Sequence, residues 1–161
     1  MTASRLKLFY LPWDNTDMLR KFLNIPKPAV WLGFAGLIPF FTAAAIGLLP
    51  AAPLHDLSLQ ALLAYGAVIL SFLGGIRWGL AIATTEPADL FGPLLFSVSP
   101  ALLGWIALLV STPIGLVLLA LSFAAMLIAD LRLSTAPHWY RSLRLPLSIG
   151  AVVTLLIGFL I

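Results

Sequence analysis

Residues 72–79 read Phe72-Leu73-Gly74-Gly75-Ile76-Arg77-Trp78-Gly79 and lie inside an apolar run that extends from Leu57 to Ala83. Twenty or so apolar residues are enough to cross a hydrocarbon layer of about 30 Å as a helix. Arg77 is the only lysine or arginine inside the long apolar runs. A charge at that depth is costly unless the protein supplies a partner or a path to the headgroups. The stretch therefore predicts a membrane-spanning helix in which Arg77 has a structural or functional task.

Small residues recur at every fourth position of the same run. Residues four apart lie on one face of a helix, and a face of small residues allows another helix backbone to approach closely. This pattern predicts the central helix of a bundle, with Gly74, Gly75, Trp78 and Gly79 as candidate contact residues. The ridge consists of Ala67, Ser71, Gly75, Gly79 and Ala83.

The composition places the chain in a membrane. Of 161 residues, 61% are hydrophobic and 9% are charged, and the mean hydropathy is +1.09, whereas soluble domains carry about 25% charged residues. The chain has no cysteine, which excludes disulfides, thiolate metal sites and iron–sulfur chemistry. We expect an integral membrane protein with one compact domain.

The apolar runs predict an all-α bundle of five transmembrane helices, at about 29–49, 57–83, 91–110, 113–130 and 145–161. The last run is the shortest and near the lower limit for spanning. Pro39 and Pro100 predict bends in the first and third helices, and Ser97 is expected to satisfy backbone groups that Pro100 leaves free. Residues 1–28 form an N-terminal segment, too polar for an ordinary cleaved signal peptide. Helical spacing over 17–24 indicates a short helix in the headgroup layer, with a disordered tail as the alternative.

The loops predict an orientation. If the five helices alternate, the N-terminal segment and the loops at 84–90 and 131–144 share one side of the membrane, and that side holds every basic residue except Arg77. Basic loops stay in the cytoplasm, so we expect the N-terminus inside and the C-terminus in the periplasm of a bacterial inner membrane. The residues concerned are Arg5, Lys7, Arg20, Lys21, Lys27, Arg132, Arg141 and Arg144.

The sequence carries no pattern that points to an enzyme. It lacks a nucleophile with a base and an orienting group, a phosphate-binding loop and metal-ligand spacing. His55 and His138 fall on opposite sides of the predicted membrane, so they cannot share a haem or a metal. We therefore predict no catalytic residue, cofactor or metal, and a non-enzymatic protein. The expected partners are membrane lipids and either a membrane-protein complex or further copies of this chain, with no nucleic acid.

Arg77 admits two interpretations. It can extend its side chain to the nearer headgroups. Alternatively, it pairs with a buried acid, because side chains tilt toward the N-terminus of their helix and this tilt directs Arg77 into the membrane. Asp130, which ends the fourth helix at a similar depth, is the first candidate partner, followed by Glu86 and Asp89.

A second cluster lies before the last helix. The segment 137–144 combines interfacial aromatic residues with arginines, namely Trp139, Tyr140, Arg141 and Arg144. Such a cluster can hold an anionic lipid headgroup. The alternative is an ordinary anchor of the basic side.

Several motifs together resemble a known family. The chain is similar, from about Pro28 to its C-terminus, to small membrane proteins catalogued as domain of unknown function 3429, which occur in bacteria and have a mitochondrial relative called transmembrane protein 69. The Gly-Gly-Ile-Arg-Trp-Gly run is the most specific part. The resemblance implies a bacterial inner-membrane protein, no established activity and no assigned functional residue. Its other motifs are Trp31 to Phe40, Tyr65-Gly66, Ser99-Pro100 with Trp105, Asp130, Trp139-Tyr140 and Leu143-Arg144.

Two functional hypotheses follow. The first is an accessory or assembly protein that packs against a larger membrane complex, with the respiratory chain as the setting suggested by analogy with the mitochondrial relative. The second is a binder or carrier of a lipid, a quinone or another small apolar molecule. Its cleft would lie between the proline-bent first and third helices.

Overall fold

The computed structural model describes residues 25–49, 52–132 and 136–161. All regular structure in this part of the chain is helical, and five segments are long and apolar enough to span a membrane. The predicted all-α five-span bundle is confirmed, whereas the predicted interfacial helix at 17–24 lies outside the described residues. The helices are α1 (Lys27–Ala35), α2 (Ile38–Gly47), α3 (Ala52–Thr84), α4 (Phe91–Leu109), α5 (Thr112–Leu131) and α6 (His138–Leu160), with a short 3-10 turn at Pro87–Asp89.

The first span consists of two helices, α1 and α2, separated at Gly36 and Leu37. Pro39 causes the break, because it lacks the N–H that would donate to the carbonyl of Ala35. The side chain of Tyr65, on α3, donates from its hydroxyl to the carbonyl oxygen of Gly36 at 2.9 Å. The predicted bend is therefore a full interruption, tied to α3 by a side-chain hydrogen bond.

Helix α3 is the central element of the bundle. It is 33 residues long, and it packs against α2, α4, α5 and α6, as the sequence predicts. It begins at Ala52 rather than at Leu57, because a proline such as Pro53 is tolerated in the first turn of a helix, where its missing N–H would have no partner anyway.

Helix α6 differs most from its predicted bounds. It has 23 residues and begins at His138, so residues that the sequence analysis assigned to a loop form its first two turns. Hydropathy placed the helix start after Arg144 because an arginine is costly in a span. The structure compensates that cost with an ion pair inside the bundle. The last span is therefore not near the lower length limit.

The core lies between α2, α3, α5 and α6, and α4 contributes the fully buried Ala107. Phe40 packs edge-on against Tyr65 and Phe123, with ring centroids 5.0 and 6.0 Å apart, and Leu62, Leu70 and other apolar residues surround them. Many large apolar side chains point outward instead, as expected where hydrocarbon is the solvent. The most exposed are Trp31, Leu32, Phe91 and Leu160.

The close contact between α3 and α4 depends on Gly74. A Cβ atom at Gly74 would meet the carbonyl oxygen of Ser97 and the ring of Pro100. The predicted ridge does not make this contact along its length: Ala67 lies against Gly104 of α4, but a Cβ atom at Gly75 would have no neighbour within 4 Å. Four residues turn a helix by about 40° more than one full turn, so a row at that spacing drifts around the axis.

A different serine from the predicted one satisfies the backbone at Pro100. Pro100 leaves the carbonyl of Phe96 without its helical donor. The hydroxyl of Ser99 donates to that carbonyl at 2.8 Å, whereas Ser97 donates to the carbonyl of Pro93 at 2.7 Å. The role expected of Ser97 thus belongs to Ser99.

Candidate functional site

The candidate site is built around the carboxylate of Asp130, in the last turn of α5. Its side chain is 1% exposed, and both of its oxygens accept hydrogen bonds from arginines on other helices. Arg77 of α3 donates to Oδ1 at 2.9 Å, and Arg144 of α6 donates from Nε to Oδ2 at 2.8 Å. One acid therefore joins three spanning helices.

Arg77 is paired rather than extended toward headgroups. Its guanidinium group also lies over the ring of Phe96, with its carbon 4.6 Å from the ring centroid, so α4 contributes to holding the charge. The prediction that Asp130 is the acidic partner is confirmed. The other two acids considered, Glu86 and Asp89, lie exposed in the turn between α3 and α4.

Arg144 and Tyr140 are partners of Asp130 that the sequence analysis missed, since it assigned both to a headgroup cluster. The Tyr140 hydroxyl lies 3.4 Å from Oδ2 of Asp130, and Arg144 is 6% exposed. A signal was available: a short connection between antiparallel helices places the start of one beside the end of the other. Asp130 near the end of α5 therefore predicts neighbours within the first turns of α6.

Among the residues that the structure describes, the charges in this cluster do not balance. Asp130 contributes one negative charge, and Arg77 and Arg144 contribute two positive charges. The Nη2 atom of Arg144 is buried and has no hydrogen-bond partner among the described residues. Leaving a buried charged donor unpaired costs more than leaving a neutral one unpaired, so the cluster has the capacity to accept one more negatively charged group.

A cleft adjoins the cluster between α1, α3 and α6. Its volume is about 340 Å³, and a smaller cavity of about 140 Å³ continues it toward Phe40 and Phe123. Arg144 lines both cavities, and the aromatic residues Trp139 and Tyr140 line the larger one. The residues shared by the two cavities are Leu32, Gly33, Phe72, Leu73, Arg144 and Leu147.

The cleft is open to the surroundings of the bundle. Two of its wall residues, Leu32 and Phe72, are 75% and 63% exposed, and this exposed apolar surface is the surface that meets lipid chains in a spanning protein. A molecule lying in the bilayer can therefore enter from the side. Its polar end would meet Arg144 and its apolar part would contact the walls.

The predicted site residues do not all converge on this cleft. Gly74 and Pro100 meet at the α3–α4 contact. Gly75, Gly79 and Trp78 lie on the outer surface of α3, with Trp78 41% exposed.

The cleft predicted between the proline-bent first and third spans is not among the three cavities described here. Pro39 lines a separate cavity of about 330 Å³ between α2 and α3, together with Thr42 and Ser58. Helix α4, which carries Pro100, lines none of these three cavities. Their walls come from α3 and its other neighbours, because α4 packs tightly on α3 through Gly74 and Gly104.

No metal centre is formed within residues 25–49, 52–132 and 136–161, where no group of three histidine or acidic side chains lies close enough to share an ion. His55 has a local structural role. Its Nδ1 donates to the carbonyl oxygen of Gly47 at 2.8 Å, which connects the start of α3 to the end of α2.

The fold and this cluster define a class: a five-span α-helical membrane protein with a buried Arg–Asp–Arg cluster beside a cleft that opens laterally. Comparison with known proteins places the chain in a family. It matches, over residues 25–160, the family model described as "Protein of unknown function (DUF3429)", and it belongs to that family. The resemblance drawn from the motifs is thereby confirmed.

Two relatives extend this comparison. The chain is 43% identical over 142 residues to Transmembrane protein 69 of Xenopus tropicalis, an alignment that covers 86% of this chain and 55% of that protein. It is 30% identical over 155 residues to Transmembrane protein 69 of Mus musculus, covering 94% of this chain and 63% of that protein. The chain thus spans less than two thirds of the length of either relative. No solved structure matches it.

Proposed function

We propose that this protein binds one membrane amphiphile, a lipid, a quinone or a similar small apolar molecule, in the cleft between α1, α3 and α6, and that it is not an enzyme. The observation that carries the proposal is the combination of apolar walls with one buried, incompletely paired arginine, Arg144. Ligand sites are typically apolar cavities of about 300–1,000 Å³ with a few polar groups that orient the ligand.

The test is a measurement of molecules retained through purification in mild detergent. We expect one species at close to one molecule per chain. Ala29→Phe, on the cleft wall, should reduce that occupancy because the ring fills the space. Ala35→Phe is the matched control, since it adds the same ring at an exposed position of the same helix. A mixture resembling bulk lipid, unchanged by Ala29→Phe, would reject the proposal.

A second candidate is an accessory or assembly protein of a larger, respiratory complex in a bacterial inner membrane. It is supported by the outer surface of α3, where Cβ atoms at Gly75 and Gly79 would have open space and Trp78 lies between them. Such a bare backbone allows another helix to approach closely.

Affinity purification of the full chain from membranes tests this candidate. A dominant partner, or a second copy of the chain, should be lost with Gly75→Leu and retained with Gly92→Leu, which also adds a side chain in open space. Recovery of the monomer alone, with normal respiratory complexes in a deletion strain, would reject the accessory role.

A further inference from the structure

We propose that the cleft selects an acidic amphiphile, a lipid whose headgroup carries a phosphate or a carboxylate, and that the acid binds Nη2 of Arg144. This inference rests on the proposed function. It adds the chemical class of the ligand and the atom that recognises it.

The first argument is the charge of the cluster. Both oxygens of Asp130 already accept hydrogen bonds, and the carboxylate neutralises only one of the two guanidinium groups. A neutral carbonyl, as in a quinone, would satisfy the free N–H but leave the second positive charge uncompensated. An anionic oxygen supplies the hydrogen bond and the charge together, and hydrogen bonds between arginine and phosphate or carboxylate are the strong ones.

The second argument is the burial of Arg144. Its side chain is 6% exposed, and Nη2 has no partner within the described ranges. A surface arginine would obtain its hydrogen bonds from water. Arg144 also lines the cleft, so a ligand in the cleft lies against the side chain that carries Nη2.

The third argument is the arrangement of the walls, which identifies the source of the anion. Trp139 and Tyr140 line the cleft within one to two turns of Arg144, while Leu32, Phe72 and Leu147 form its apolar part. Aromatic residues of this kind mark headgroup depth in membrane proteins. A soluble anion would contact only the polar group, whereas an acidic lipid uses both.

The inference can be tested with the full chain in nanodiscs, by native mass spectrometry with phosphatidylglycerol and diacylglycerol of identical acyl chains, which differ in the presence of the anionic phosphate. The wild type should prefer phosphatidylglycerol by about tenfold, the factor expected for one charge-assisted hydrogen bond. Arg144→Lys keeps a cation beside Asp130 but removes Nη2, so the preference should fall to near one while a lipid is still bound. Arg132→Gln removes an exposed charge on the same side and should leave the preference intact.

Two further measurements complete the design. If Arg144→Lys fails to fold, the preference of the wild type still tests the acidic selectivity, and Ala29→Phe tests its location: the added ring should displace phosphatidylglycerol, and retention of that lipid would overturn the inference. Asp14 and Asp17 are the two acidic residues of the N-terminal segment, and the double variant Asp14→Asn/Asp17→Asn tests whether an acid of the chain itself neutralises Arg144. The preference for phosphatidylglycerol should be unchanged in that variant, and an increase would overturn the inference.

The remaining outcomes are distinguishable. One bound lipid per chain with equal affinity for both lipids would overturn the acidic selectivity and leave the proposed function standing. No lipid at stoichiometric occupancy would overturn both. An increase in melting temperature with inorganic phosphate equal to that with phosphatidylglycerol would assign the site to a soluble anion and overturn the lipid source.

Discussion

Arg77 and Asp130 are 53 positions apart in the sequence, and Nη1 of the arginine donates to Oδ1 of the acid at 2.9 Å. The same carboxylate holds Arg144 through its other oxygen at 2.8 Å. The three residues lie on α3, α5 and α6, so the relative positions of these helices at this level of the bundle depend on one buried acid. Removing any one of the three residues changes the balance of charge around the other two.

We expect Asp130→Ala to be the most destabilising change in the cluster, because it leaves two arginines without a buried counter-charge. Removing one member of a buried pair typically costs about 3–5 kcal/mol. Arg77→Ala should cost less, since Arg144 still neutralises Asp130 and Arg77 is partly exposed. Thermal unfolding in detergent measures both. The double variant should lose less stability than the sum of the two changes, and strict additivity would contradict the coupling.

Arg77→Lys should cost about 1 kcal/mol, because a lysine keeps the charge near Asp130 but loses the guanidinium group that lies over the ring of Phe96. Phe96→Leu should cause a similar loss in the wild type and a smaller loss in the Arg77→Ala background. Phe91→Leu is the control, since Phe91 is a highly exposed phenylalanine of the same helix. An equal effect of Phe96→Leu in both backgrounds would show that the ring does not interact with the charge.

The adjacent glycines of α3 should respond oppositely to alanine. Gly74→Ala places a methyl group against the Ser97 carbonyl and forces α3 and α4 apart, so it should destabilise by about 1–3 kcal/mol, as overpacking does. Gly75→Ala meets open space and should be neutral or stabilising by up to about 1 kcal/mol, because alanine favours a helix more than glycine. Unfolding of the two purified variants gives the comparison. Equal destabilisation would mean that the α3–α4 contact is not as close as described.

Tyr65→Phe should destabilise the protein by about 0.5–1.5 kcal/mol, because it removes the only side-chain donor described for the Gly36 carbonyl at the interruption of the first span. The ring packing against Phe40 is retained in this variant. The melting temperature should therefore fall without a change in helix content by circular dichroism. An unchanged melting temperature would indicate that water donates to the Gly36 carbonyl in place of the Tyr65 hydroxyl.

Reporter fusions test the orientation, which rests on the distribution of basic residues. A reporter active only in the periplasm should be active when fused after Ile161 and inactive when fused after Ala88, because the basic side stays in the cytoplasm. Truncation at Ala88 removes three spans, so an insertion of the reporter at the same turn in the full chain is the control. Activity of the reporter at Ala88 would mean that the topology is the reverse of the predicted one.

One ion pair of the site can be predicted from the sequence, whereas the other cannot, for a physical reason. The pairing of Arg77 with Asp130 followed from depth and from the tilt of side chains along a helix, which are properties of single helices. Arg144 was assigned to the headgroups because hydropathy treats every arginine as a reason to end a span. Its position inside the bundle depends on the counter-charge of Asp130 on α5. A hydropathy average over the residues around Arg144 does not include that contact.

The sequence by itself determined that the chain is an all-helical, five-span membrane protein, because span length and apolar content are local properties that decide whether a segment crosses a bilayer. The small residues of α3 also indicated its place at the centre of the bundle. The tertiary structure decided which face of each helix turns inward. That rotation placed Gly74 rather than Gly75 against α4, brought Arg144 to Asp130 and opened the cleft beside α1 and α6 rather than α4. It is set by the sum of many side-chain contacts between helices distant in sequence, each worth little alone, so a periodic pattern in one helix cannot specify it.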